Sequence, residues 1–203
     1  MNRLRPPGPV AKGLRIGLLG GSFNPAHEGH LYVGEVARKR LGLDYVWWLV
    51  APQNPLKPEA GMAPFKERLA AARALAGRRP RLIVSDIECV LGSRYTIDTL
   101  KALTRRFPEV RFVWLMGSDN LEQFHRWRRW EEIVRLVPVV VVERSGSLLA
   151  PLRAKAMQRF DYARRRTLGP PPAIIVVDGR RNDASATAIR NSQGEFPQRS
   201  DRR

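Results

Sequence analysis

Residues 14–30 read LRIGLLGGSFNPAHEGH. Leu14 to Leu19 is a short apolar run, which predicts a buried strand, and Gly20-Gly21 predicts a tight turn after it. From Gly29 to Gly42 the apolar residues Leu31, Val33, Val36, Ala37 and Leu41 recur at helical spacing. Cationic Arg38, Lys39 and Arg40 fill the last turn, and Gly42 supplies a C-cap. The unit is therefore strand, glycine turn, helix. The glycines let the backbone turn sharply and bring N–H groups close to an anion. His27 and His30 lie three residues apart at the helix start, so both rings can face one pocket. Two imidazoles beside a helix N-terminus suit a phosphate: they donate hydrogen bonds and, when protonated, add charge. The string is not the H-E-x-x-H of a zincin, because its histidines are three apart rather than four, and it is not a GxGxxG dinucleotide fingerprint.

The same alternation continues outward from this unit. Asp44 to Ala51 (DYVWWLVA) predicts a second strand, followed by a Pro-rich loop from Pro52 to Pro58. Pro64 to Gly77 predicts a helix, opened by Pro and closed by Gly. Strands are expected at 81–86, 110–116, 138–143 and 173–178. Helices are expected at 96–107, 131–136, 148–162 and, briefly, near 187–192. The strands are continuous apolar runs, the mark of a parallel sheet covered on both faces. The expected fold is thus α/β, a Rossmann-like doubly wound parallel sheet with helices on both faces. Ligands in such sheets bind beyond the carboxyl ends of the strands, near the switch in strand order. Residues 1–13 form an N-terminal extension expected to be flexible, 14–193 a single domain, and 194–203 a basic tail.

Composition narrows the function classes. The chain has 203 residues, enough for one domain. No apolar run approaches the length of a membrane helix, and the N-terminus lacks an apolar signal core. Cys89 is the single cysteine, so an internal disulfide and a multi-cysteine metal site are excluded, and a cytoplasmic location is expected. The net charge of +17 invites a polyanion. Yet the excess is spread along the chain, and only six of the 36 cations are lysine. A solvated basic surface is the simpler reading, and no nucleic-acid partner is expected.

Near the C-terminus, residues 183–190 read DASATAIR. Ser185 suits an N-cap, and Thr187 and Arg190 fall on one helical face, so a hydroxyl, helix N–H groups and a guanidinium can converge on one anion.

Residues 20–30 closely resemble the G-G-[TS]-F-D-P-x-H-x-G-H signature of the nucleotidyltransferase superfamily, with Asn24 where Asp is common. DASATAIR resembles that superfamily's S-S-T-x-[IL]-R motif, with Ala186 in place of the usual Ser. Three further segments resemble the nicotinate-nucleotide adenylyltransferase branch: Pro52 to Pro58 with Lys57, Ser93 to Leu100 (SRYTIDTL), and Gly117-Ser118-Asp119-Asn120-Leu121 with Trp127 downstream. The resemblance implies adenylyl transfer from ATP to nicotinate mononucleotide, giving deamido-NAD (nicotinate adenine dinucleotide) and pyrophosphate. It implies His27, His30, Lys57 and Arg190 as catalytic residues. Gly20, Gly21, Ser22, Phe23, His30, Gly117, Asp119, Ser185, Thr187 and Arg190 would bind ATP. Asn24, Lys57, Tyr95, Thr96 and Trp127 would bind the mononucleotide. Mg²⁺ would accompany ATP, held by the nucleotide rather than by a protein cage. A homo-oligomer is left open. The alternatives are a sister transferase acting on nicotinamide mononucleotide or another phosphate, and a basic nucleic-acid-binding protein on an inactive scaffold.

Overall fold

The computed structural model describes residues 5–52, 61–143 and 151–179. The chain runs β1 (Arg15–Gly21), α1 (Glu28–Leu41), β2 (Tyr45–Val50), α2 (Phe65–Ala76), β3 (Leu82–Ser85), α3 (Ile87–Leu91), α4 (Thr96–Arg106), β4 (Arg111–Gly117), α5 (Ser118–Phe124), α6 (Trp130–Leu136), β5 (Val139–Val142), α7 (Lys155–Arg159), β6 (Arg164–Arg165) and β7 (Ile174–Val177). The strands form one sheet in the order β3-β2-β1-β4-β5-β7-β6, and each pairing is parallel. After β3 the chain returns past β1 to lay down β4 on the other side. The switch in strand order therefore lies between β1 and β4, where the carboxyl ends of two strands leave a crevice.

The apolar runs are continuous because successive side chains point to opposite faces and both faces are covered. Trp47 and Leu49 enter one core layer, with Ile97, Leu100, Phe112 and Trp114. Their neighbours Trp48 and Val50 enter the other, with Leu31, Val33 and Ala72. The glycines of β1 follow the same alternation. A methyl on Gly20 would stand 2.4 Å from the Trp114 ring, so Gly20 is required by packing; a methyl on Gly21 would meet only Phe23 and His30, at ordinary contact distances. The glycine pair thus has two separate causes, one in the core and one at the strand's open end.

Local signals set several boundaries. Gly42 takes the left-handed conformation that closes α1, at φ 61°. The segment ahead of β1 makes defined contacts: Gly13 N–H donates to the Glu109 carbonyl at 2.9 Å, and Val10 packs against the core.

One expected element is corrected. The basic helix foreseen over 148–162 is not continuous over its described part. A 3₁₀ turn at Pro151–Arg153, α7, and a second 3₁₀ turn at Asp161–Ala163 replace it, and Ala154 between them is extended. Packing overrides helical propensity there: Ala156, Met157, Phe160 and Ala163 are all buried, and Phe160 meets Trp130 edge-on at 5.6 Å. Three short elements, α3, α5 and β6, are not among the expected ones. The short helix near 187–192 lies outside the described residues.

Candidate active site

The turn after β1 places two imidazoles at the crevice. Phe23 adopts φ 48°, a left-handed conformation costly for a residue with a side chain, and its ring is fully buried. That ring lies 4.5 Å from the His30 ring and 5.1 Å from Trp48. Phe23 therefore forms the floor beneath His30. The peptide bond between Asn24 and Pro25 is cis.

His27 caps α1. Its Nδ1 accepts from the Gly29 N–H at 3.1 Å, and His30 Nδ1 accepts from the His27 N–H at 3.2 Å. The two ring centroids lie 3.9 Å apart, with the planes tilted by 41°. This reciprocal box, built of two histidines in place of the usual Ser and Glu, settles the chemistry of both rings. Each Nδ1 is used as an acceptor, so in each neutral ring the proton sits on Nε2. Both rings offer an Nε2–H donor, and His30 Nε2 lies on the Gly21 side of the motif. An imidazole N–H held at the end of a strand suits developing negative charge on a phosphoryl group.

Arg68 on α2 is the functional residue that sequence reasoning missed. It is only 3 % exposed. Its guanidinium donates to the carbonyls of Ser22, Ala51 (2.8 Å), Pro52 (2.7 Å) and Ala63 (3.0 Å). One side chain thus ties the turn after β1 to the end of β2 and to the start of α2. No carboxylate pairs with it among the described residues, and burial pulls its pKa down. A signal existed: Arg68 sits at i, with buried Ala72 and Ala76 at i+4 and i+8, on the apolar stripe of α2. A cation on a buried stripe needs a polar reason to be there.

Asn24 joins the same staple. Its Nδ2 donates to the Gly61 carbonyl and its Oδ1 accepts from the Ala63 N–H, both at 3.1 Å. An aspartate could make only the second bond, which accounts for the amide at this position.

The other end of the crevice is built by β4 and α5. Gly117 is buried and extended at the N-terminus of α5, Ser118 donates to Glu143 at 3.2 Å, and Asp119 is exposed. Across the sheet, Tyr95 is extended at the N-terminus of the 11-residue α4, and no side chain caps that end. Arg128 stacks over the Tyr95 ring at 4.5 Å, which brings the neighbouring Trp127 to the same region. Trp127 is half-buried, held edge-on by Trp114 and Phe124. Tyr95 and Arg128 thus share one wall, and Trp127 is the residue next to Arg128 along the chain. Behind them Thr99 donates to Glu88 at 3.0 Å and shares a 2.7 Å hydrogen bond with Ser93, all three being buried. Burial pushes the Glu88 carboxyl up to about 7, against a smaller downward pull from the Thr99 hydrogen bond.

Lys57, Ser185, Thr187 and Arg190 lie outside the described residues. Among the described residues no group of three or more His, Cys, Asp or Glu side chains could hold a metal ion, and no helix is long and apolar enough to cross a membrane.

Comparisons with known proteins place the chain in a family. The model of the cytidylyltransferase-like family matches residues 18–192. A Parvibaculum lavamentivorans protein named "Probable nicotinate-nucleotide adenylyltransferase" is 54% identical over 192 residues, covering 91% of this chain and 95% of its own. A Methylorubrum extorquens (strain PA1) protein of the same name is 51% identical, covering 87% and 99%. Among solved structures, Plasmodium falciparum nicotinic acid mononucleotide adenylyltransferase complexed with NaAD superposes with a TM-score of 0.68. It covers 88% of this chain and 83% of that one, at 17% identity, a likeness of fold.

Proposed function

Because the chain belongs to the cytidylyltransferase-like family, and within it to the nicotinate-nucleotide adenylyltransferases, we propose that it transfers the adenylyl group of ATP to nicotinate mononucleotide. The phosphate of the mononucleotide attacks the α-phosphorus, the bond to the bridging oxygen breaks, and pyrophosphate leaves. The nucleophile is already an anion, so no general base is required, and catalysis is positioning plus neutralisation of charge. The observation that carries this reading is the paired histidine cap that opens α1 directly after β1, beside the β1/β4 switch, with His30 Nε2 on the Gly21 side.

In this reading His27 and His30 donate to the α-phosphoryl oxygens, and Gly21 leaves room against His30. Gly20 acts through packing, Ser22 and Phe23 through the shape of the turn. Gly117 and Asp119, at the end of β4, hold the ATP ribose. The uncapped N–H groups at the start of α4 receive the pyridine carboxylate, with Tyr95 and Thr96 forming that turn and Trp127 stacking on the ring. Asn24 serves the mononucleotide by shaping the wall with Gly61 and Ala63. Lys57 supplies a further cation to the phosphates, and Ser185, Thr187 and Arg190 hold the leaving pyrophosphate. Mg²⁺ would be carried by the triphosphate and water and, when bound, would neutralise phosphate charge. The substrates are small molecules, and a cytoplasmic setting accords with them.

The test is pyrophosphate release from ATP with nicotinate mononucleotide, nicotinamide mononucleotide or neither. Release with the acid, and little with the amide, is expected. Release with neither would overturn the reading, and equal release would reassign the α4 N-terminus.

A further inference from the structure

Ser93, Thr99 and Glu88 form a buried chain with a direction. An ionised Glu88 can only accept, so Thr99 donates to it and accepts from Ser93. A neutral Glu88 can donate, and the chain can run the other way. Ser93 stands in the wall of a cavity of about 390 Å³ that Tyr95, Asp98 and Arg128 also line. The chain therefore connects a buried carboxyl to the turn that opens α4.

The surroundings of Glu88 leave its charge unopposed. The elements in closest contact with α3 are β2, whose YVWWLV carries no charge, and α4, which presents Thr99, while α2 brings Arg68 near Cys89. Asp98, beside Thr99, is exposed. Asp86, Arg68 and the Cys89 thiol lie nearby and interact around Cys89, but the influences on Glu88 itself are burial and the Thr99 hydroxyl. Burial raises its pKa to about 7. The group thus titrates in the range where the enzyme would work, and it does so behind a site that receives a carboxylate.

We propose that Glu88 is a positioning and specificity residue: through Thr99 and Ser93 it holds the Ser93–Thr96 turn, and its charge state sets how strongly that turn favours an acid over an amide mononucleotide. The inference rests on the reading that the start of α4 receives the pyridine ring. A buried anion behind the turn repels a bound carboxylate and leaves an amide untouched. The phosphate of the substrate also titrates near neutrality, but it is common to both mononucleotides and cancels in their ratio.

The experiment measures the acid-to-amide ratio of kcat/KM, and of Kd by titration calorimetry, from pH 5.5 to 8.5. In the wild-type enzyme the ratio should fall roughly 3- to 10-fold as pH rises through about 7, through KM rather than kcat. Glu88→Gln, whose amide oxygen still accepts from Thr99, should turn over at its acid-form rate with a flat ratio. Thr99→Val should move the midpoint upward, because the hydroxyl favours the ionised form, and Thr99→Ser should return it. A flat wild-type ratio, or an unchanged profile in Glu88→Gln, would overturn the inference while leaving the proposed reaction intact. Turnover and binding of neither mononucleotide would sink both.

Discussion

At the scale of single residues, Gly20 and Gly21 separate two kinds of requirement. A methyl at Gly20 would collide with Trp114, so Gly20→Ala should cost about 1–3 kcal/mol of stability, read as a lower urea midpoint. A methyl at Gly21 meets nothing closer than 3.5 Å and ends 3.9 Å from His30 Nε2. Gly21→Ala should therefore fold normally and lose turnover, since the methyl stands on the ligand side of the imidazole. Loss of stability in both variants would show that the two glycines share one cause. His30→Ala removes a pre-aimed donor, and turnover should drop about 10²-fold with the fold retained, by the size of comparable electrostatic deletions. Wild-type turnover would remove His30 from the reaction.

Elements meet at Arg68. Its four carbonyl partners belong to three separate segments, so its loss leaves a buried acceptor at Ser22 and part-buried acceptors in the other two. Arg68→Met keeps the apolar stem and deletes the donors. The expected cost is about 3 kcal/mol, because hydrogen bonds to a charged group are worth about 1.5–3 kcal/mol each and do not add fully. Chemical unfolding measures it, and a loss below about 1 kcal/mol would mean water replaces the guanidinium. The reading of α4 rests on a neighbouring element: Trp127, fixed between Trp114 and Phe124, should raise the KM for the mononucleotide more than for ATP when changed to Ala. The reverse pattern would seat the adenine there instead.

For the molecule as a whole, Glu88 links the fold to pH. Its carboxyl titrates at about 7 in the folded chain against 4.5 for an ordinary glutamate, so the folded state binds the proton more tightly. The stabilisation is fully present below pH 4.5 and is lost as pH rises through about 7, by about 3 kcal/mol in all. Glu88→Gln should remove this loss between pH 4.5 and about 7 from the stability profile, as thermal melts from pH 4 to 8.5 would record; an unaltered profile would place the titration elsewhere. The salt bridges on α6 cannot replace it. Glu131 and Glu132 are held below the ordinary range chiefly by hydrogen bonds from Arg135 and Lys101, but they stand at the surface, where such pairs contribute little.

The sequence determined the parts that arise from neighbours along the chain. Continuous apolar runs such as YVWWLV and VVVV require two covered faces, and alternation with helices requires parallel pairing, so the doubly wound sheet was legible. The pairing of His27 with His30 was legible too, because a helix start fixes residues three apart on one side. Only the tertiary structure decided how those rings are held, since the cap uses each Nδ1 as an acceptor. It alone broke the expected 148–162 helix, where burying Phe160 and Met157 outweighed helical spacing. Arg68 and Glu88 belong to the same class: their partners are carbonyls and hydroxyls brought from elsewhere in the chain. A buried polar side chain takes its meaning from whichever distant groups desolvate and satisfy it, and local sequence does not contain them.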